Sequence, residues 1–199
     1  FNGEIYNFRE IRAELVRLGH RFRSNSDTEV VLGAYRAWGI DAIRRFRGMF
    51  AFVLWDKKKR KLFVVRDRAG VKPLYYSISG GEFRFASEVK ALLVSAAMDR
   101  SIDVSALAEY FQFGYISAPR TIYESVRSVR PGHYLELSPG KPPREVKYWD
   151  VCDYYLKGAE LQASGHWKRR PEEDVVDEFE EILARGFEYR LVSDVPVGL

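Results

Sequence analysis

Three short strings in this sequence carry residue types that can do chemistry. The first is Phe1-Asn2-Gly3-Glu4-Ile5-Tyr6-Asn7. A side-chain amide at Asn2 and a main-chain N–H at Gly3 are neutral donors that can hold one oxygen on which negative charge develops. Glycine also lets the backbone approach a bound molecule closely. Glu4 adds a carboxylate beside them. The same Asn-Gly step is common where a strand turns into a helix, and composition alone favours that plainer reading. The second string is Asn25-Ser26-Asp27-Thr28-Glu29. Asp27 there can accept from a substrate ammonium group. It can equally be satisfied by the N–H groups of its own helix start, and spacing does not choose between the two. The third string is Arg66-Asp67-Arg68-Ala69-Gly70-Val71-Lys72-Pro73-Leu74-Tyr75-Tyr76. Charges crowded against apolar strands more often mark a buried ion-pair network or an interface than reacting groups.

Other chemistries are missing from the sequence. No dinucleotide fingerprint, phosphate loop, zinc-protease helix or serine nucleophile elbow is present. A single cysteine, Cys152, excludes an internal disulfide and a cysteine zinc site. His20, His133 and His166 are too scattered for metal-ligand spacing. No metal site is expected, and the cysteine usage fits a reducing cytoplasm. The longest apolar run, Met49 to Trp55, has seven residues, against the roughly 20 a membrane helix needs. No secretion leader is expected. The 32 basic and 28 acidic residues leave a net charge of only +4. The basic clusters Lys57–Lys61 and Lys168–Arg170 therefore read as solvated turns and a helix start rather than a nucleic-acid surface.

The elements that must position these strings can be read from periodicity. Phe8, Ile11, Leu15 and Leu18 fall at helical spacing before a stop at Gly19. Ser26-Asp27-Thr28-Glu29 matches a capping box that opens a second helix ending at Gly39. The period then changes. Gly48–Asp56 and Leu62–Arg66 predict a buried hairpin, and Leu74–Ile78 with Glu82–Ala86 a second one across Ser79-Gly80-Gly81. Helices are predicted at Glu88–Ala96 and Asp103–Phe113, and strands at Thr121–Tyr123, His133–Leu137 and Glu145–Trp149. Residues 150–170 lose the pattern and read as a linker. An amphipathic helix follows, with Glu172, Glu173 and Asp174 at its start and a stripe of Val175, Phe179, Ile182 and Leu183. The last seven residues, Ser193 to Leu199, read as the lead-in to a new strand. Blocks of helices and hairpins predict an α+β fold with antiparallel sheet.

Taken together the strings resemble a known family. Asn2-Gly3-Glu4-Ile5-Tyr6-Asn7 followed by Ser26-Asp27-Thr28-Glu29 looks like the class II glutamine amidotransferases. Arg47-Gly48-Met49-Phe50-Ala51-Phe52, Arg66–Tyr76, Phe85-Ala86-Ser87-Glu88-Val89-Lys90-Ala91-Leu92, Pro131-Gly132-His133-Tyr134 and Tyr148-Trp149-Asp150 narrow this to the glutamine-hydrolysing asparagine synthetases. Arg190–Leu199 resembles the segment before that family's pyrophosphate loop.

The resemblance implies a four-layer αββα N-terminal-nucleophile hydrolase sandwich over residues 1–149, lacking its first strands. A linker over 150–170 and the start of an α/β ATP-binding domain over 171–199 would follow. It also implies a reaction. A cysteine thiolate attacks the glutamine carboxamide, and the oxyanion is held by Asn2 and Gly3. Glu4 and Asp27 bind glutamine, with Asp27 on the α-ammonium. The ammonia released amidates aspartate at a second site using ATP and Mg²⁺, giving asparagine, AMP and pyrophosphate.

The sequence departs from this pattern at both ends. The nucleophilic cysteine and the arginine for the glutamine carboxylate are absent, Cys152 does not match the nucleophile, and the pyrophosphate loop would begin after Leu199. The expectation is an internal piece of a longer cytoplasmic enzyme. It would bind no cofactor and hydrolyse no glutamine alone, and an uncovered sheet would make it prone to aggregate. Its partners are the small molecules glutamine, aspartate and ATP, not nucleic acid or membrane, and a homodimer is left open. Two other readings remain: a relative that amidates a different carboxylate, and a non-catalytic regulatory domain of the same fold.

Overall fold

The computed structural model describes residues 1–95 and 98–191. The end of the predicted helix at Ala96 and the lead-in at 193–199 lie outside the described residues. Fourteen helices and strands follow one another along the described chain. They are β1 (Asn2–Ile5), α1 (Phe8–Arg17), α2 (Asp27–Trp38), β2 (Gly48–Asp56), β3 (Lys61–Arg66), β4 (Tyr75–Ser79), β5 (Glu82–Ala86), α3 (Val89–Leu92), α4 (Val104–Phe113), β6 (Val126–Ser128), β7 (His133–Leu137), β8 (Arg144–Lys147), α5 (Val151–Ala163) and α6 (Glu172–Glu188). Short 3₁₀ segments occupy Gly39–Arg44, Trp167–Arg169 and Tyr189–Leu191. The chain divides into two compact units, one of Phe1–Glu4 with Met49–Trp149 and one of Ile5–Gly48 with Asp150–Leu199.

The first unit holds both sheets. One runs β1-β2-β3-β7-β8 and the other β5-β4-β6. The β2–β3 hairpin pairs Ala51 with Arg66 through to Asp56 with Lys61, and β3 pairs on its other side with β7. Alternate residues of this ladder, Ala51, Val64 and Leu135, pack with Leu74 and Val129 and against Tyr76 and Phe83 of the second sheet. The opposite face carries Phe50, Phe52, Phe63 and Val65, all buried. Burial on both faces is why β2 reads as an unbroken apolar run instead of alternating. Gly80 and Gly81, with φ of 59° and 78°, give the β4–β5 hairpin a turn that needs two positive φ values.

In the second unit α1 presents Ile11 and Leu15, and α2 presents Val30, Val31 and Ala34, all buried. Gly33 lies where a Cβ would sit 3.2 Å from the Phe22 ring and 3.3 Å from Leu15, so its missing side chain lets both pack there. Among the described residues no helix is long and apolar enough to cross a membrane.

The structure corrects the sequence reading in four places. Thr121–Tyr123 is not a strand: Tyr123 forms only an isolated bridge with Ile102, and the third strand of the small sheet is Val126–Ser128. The Thr121 hydroxyl instead donates to the Val126 carbonyl at 2.9 Å, holding a turn. The helix predicted over Glu88–Ala96 is one turn, Val89–Leu92. Within residues 150–170, read as patternless, Val151–Ala163 form α5, capped by Asp150, whose carboxylate accepts from the Cys152 N–H at 2.9 Å. The capping box at α2 is only half formed, as described below.

Candidate functional site

β1 carries Asn2, Gly3 and Glu4 in succession and is the edge strand of its sheet. Gly3 has φ +132°, and a Cβ there would lie 2.0 Å from the Met49 carbonyl oxygen and 2.7 Å from the Phe50 Cα. Two separate constraints therefore demand glycine: a backbone conformation that side chains avoid, and direct contact of β1 with the start of β2. Asn2 and Glu4 are exposed, and Ile5 at the end of β1 is buried. Neither the Asn2 amide nor the Glu4 carboxylate makes a hydrogen bond to another described residue, so both remain available to a solute.

The chain leaving β1 is fixed by Asn7, which is buried. Its Nδ2 donates to the Arg45 carbonyl at 3.0 Å and its Oδ1 accepts from the Arg47 N–H at 2.8 Å, while the Tyr6 N–H donates to the Arg47 carbonyl at 2.8 Å. The last asparagine of the motif is thus a brace. Its burial, which the sequence does not display, separates it from Asn2.

Asp27 opens α2. Its Oδ2 accepts from the Ile5 N–H at 3.0 Å, a bond across 22 positions of sequence. The carboxylate is therefore spent in part on the end of β1, and not on the helix start that alone could have satisfied it. Its Oδ1 has only a long contact, 3.4 Å, from the Thr28 hydroxyl. Helix capping falls to Ser26, whose hydroxyl oxygen accepts from the Thr28 N–H at 3.2 Å. Glu29 does not return to Ser26 as a full capping box requires. It reaches the preceding turn, accepting from the N–H groups of Arg23 and Ser24 and from the Ser24 hydroxyl. Those bonds, led by the one from Arg23, hold its carboxyl down at about 2.

The third string proves structural. The Asp67 carboxylate is 1% exposed. Its Oδ1 accepts from the N–H groups of Ala69 and Val71, and its Oδ2 from those of Phe50 and Lys72, at 2.9–3.2 Å. Four main-chain donors satisfy the buried carboxylate. Arg66 works in the opposite sense. Its guanidinium donates to the carbonyls of Lys72, Gly70 and Val129 and to the Ser128 hydroxyl. Burial pulls its pKa below the ordinary arginine value. Tyr148 closes the loop by donating to the Arg66 carbonyl at 2.7 Å, and burial raises its phenol pKa.

Cys152 is exposed in the first turn of α5. Among the described residues no group of three or more His, Cys, Asp or Glu side chains could hold a metal ion.

The sequence profile of the glutamine amidotransferase domain matches residues 1–149. Asparagine synthetase (glutamine-hydrolysing) 3 of Bacillus subtilis is 36% identical over 99% of this chain and 30% of its own length. The putative asparagine synthetase 2 of Methanocaldococcus jannaschii is 34% identical over all of this chain and 36% of its own. Amidase chry2 of Gibberella zeae is 33% identical over all of this chain and 28% of its own. This chain thus spans about a third of the length of the relatives it matches. Among solved structures, the glutamine phosphoribosylpyrophosphate amidotransferase of B. subtilis superposes with a TM-score of 0.54 at 20% identity, over 74% of this chain and 28% of that one. That likeness establishes the amidotransferase fold of the N-terminal-nucleophile hydrolase type.

Proposed function

The chain belongs to the glutamine amidotransferase domain family, and we propose that it is the glutamine-binding part of a glutamine-hydrolysing asparagine synthetase. The observation that carries this reading is β1: a glycine that the structure forces, flanked by an exposed amide and an exposed carboxylate that no described residue engages. Attack on the carboxamide of glutamine places negative charge on its oxygen. In this reading the Asn2 amide and the Gly3 N–H stabilise that charge, a donor of this kind contributing roughly 3–4 kcal/mol to the barrier. Glu4 and Asp27 bind the rest of glutamine, Asp27 taking the α-ammonium. Cys152 is not assigned as the nucleophile. The reading leaves the attacking thiolate to a residue outside this chain.

In the same reading ATP, Mg²⁺ and aspartate act in the part of the relatives' length that this chain does not span, and the setting is the cytoplasm. Ammonia would pass to that part unprotonated and displace AMP from the activated aspartate. A second reading, amidation of another carboxylate, is supported by the similarity to a relative named an amidase, only slightly lower than that to the asparagine synthetases. Calorimetric titration of the chain with L-glutamine tests the shared first half. Saturable binding is expected in the wild type, weakened by about tenfold in Asn2→Ala. Absence of binding, or binding indifferent to that substitution, refutes the assignment of β1.

A further inference from the structure

Within the first unit a second hollow, of about 480 Å³, lies well away in sequence from β1. Arg66 and Gly70 of the loop after β3 line it, with Tyr75 of β4 and Tyr110 and Tyr115 at the end of α4 and just beyond. Its volume is in the range of small-molecule sites, and its walls set three tyrosines among aliphatic residues and the polar side chains of Arg66, Arg120, Thr121 and Ser128.

Four features of the lining point to a ligand. Four of the five guanidinium N–H groups of Arg66 are used on three carbonyls and one hydroxyl, so one Nη2–H is left over. Arg66 pairs with no carboxylate among the described residues. The other arginine of the lining, Arg120, is already matched by Glu109 at 2.6 Å. The phenols of Tyr75, Tyr110 and Tyr115 make no hydrogen bond to any described residue, and the last two are 51% and 60% exposed. Finally, Gly70 stands where a Cβ would lie 3.2 Å from the Arg66 Cζ and Nη2 and 2.8 Å from Pro131, so only glycine leaves that side of the guanidinium open. Glu109 also accepts from the Ser117 N–H at 3.0 Å, which fixes the 117–120 wall independently of any ligand.

We propose that this hollow binds a small planar molecule bearing one anionic group, its ring against the tyrosines and its anion on Arg66. Three tyrosines in one lining suit a flat ring, since ring stacking needs no particular substitution pattern. A half-buried guanidinium that forms no ion pair among the described residues suits a carboxylate or a phosphate, both of which accept from it. The inference does not depend on the glutamine reading: the residues, and the test, are separate.

The test is calorimetric titration of the whole chain with AMP, benzoate, adenosine and inorganic phosphate. AMP and benzoate separate a nucleotide from an aromatic acid as the source of the ring and anion. Adenosine and phosphate each supply one half. Saturable binding of AMP or benzoate is expected, at least about tenfold tighter than the matching half-ligand. Tyr110→Ala and Tyr115→Ala are both exposed positions outside the core, and each should weaken it by about fivefold or more. Arg66→Met should abolish it, but because Arg66 also braces its loop the tyrosine variants decide. The proposal is overturned if neither AMP nor benzoate saturates, if phosphate alone binds as tightly as AMP, or if both tyrosine variants bind like the wild type.

Discussion

Gly3→Ala is the substitution whose cost can be worked most directly from the structure. The added carbon would start 2.0 Å from the Met49 carbonyl oxygen, and ordinary contact requires roughly 3.4 Å. Something must move by more than an ångström, and the obstacle is backbone, not a flexible side chain. The φ of +132° adds strain of about 1–3 kcal/mol for any residue with a Cβ. Relieving the clash means lifting β1 from β2. The sum should reach at least about 3 kcal/mol, and at roughly 2–4 °C per kcal/mol for a chain of this size the thermal midpoint should fall by about 6–12 °C. Gly81→Ala is the internal control. Its φ of +78° is also unfavourable, but a Cβ there meets nothing within 4 Å, so it should cost only about 1–2 kcal/mol. Differential scanning fluorimetry or urea unfolding reads both. If Gly3→Ala is no more destabilising than Gly81→Ala, the close approach of β1 to β2 is wrong, and with it the reason for glycine in the motif.

Three further outcomes follow from the same contacts. Asp67→Asn replaces one of two doubly accepting oxygens by an amide that faces two N–H donors, and should cost roughly 3–5 kcal/mol in urea unfolding; a loss below about 1 kcal/mol would contradict the loop described here. Glu29 is held below its ordinary 4.5, so its bonds contribute fully above that pH and are lost as pH falls through about 2. The Ser24 amide resonance should titrate near that lower value, and a midpoint at the ordinary one would show that the bonds do not form in solution. Cys152→Ser should alter glutamine affinity by less than about twofold, since the thiol is exposed on α5 and holds no assigned role; a large loss would reopen Cys152 as a site residue.

Much of the fold was legible because its signals are local. Gly80-Gly81 named its own turn, Asp103 its own helix cap, accepting from the Ala106 N–H, and the unbroken apolar run of β2 announced a strand buried on both sides. What escaped was decided by partners far along the chain. Val126–Ser128 is too short to show a period and becomes a strand only because β4 offers it an edge. Residues 151–163 form a helix whose apolar side chains stay exposed, so no burial pattern marked it. The site divides in the same way. The special glycine at position 3 was visible as a motif, but its cause is a carbonyl 46 residues later. Asp27 and Asp67 are indistinguishable as letters. One keeps an oxygen without a close partner while the other has both oxygens fully occupied, and only the tertiary bonds show which is which.

The central claim, that this chain holds glutamine with Asp27 at its ammonium end, is tested most directly by comparing L-glutamine with glutaramate, the same molecule without the α-amino group. Calorimetry on the wild type should show L-glutamine bound about tenfold or more tightly, and Asp27→Asn should erase that preference while leaving glutaramate affinity nearly unchanged. Equal affinities in the wild type, or a preference that survives Asp27→Asn, would contradict the account.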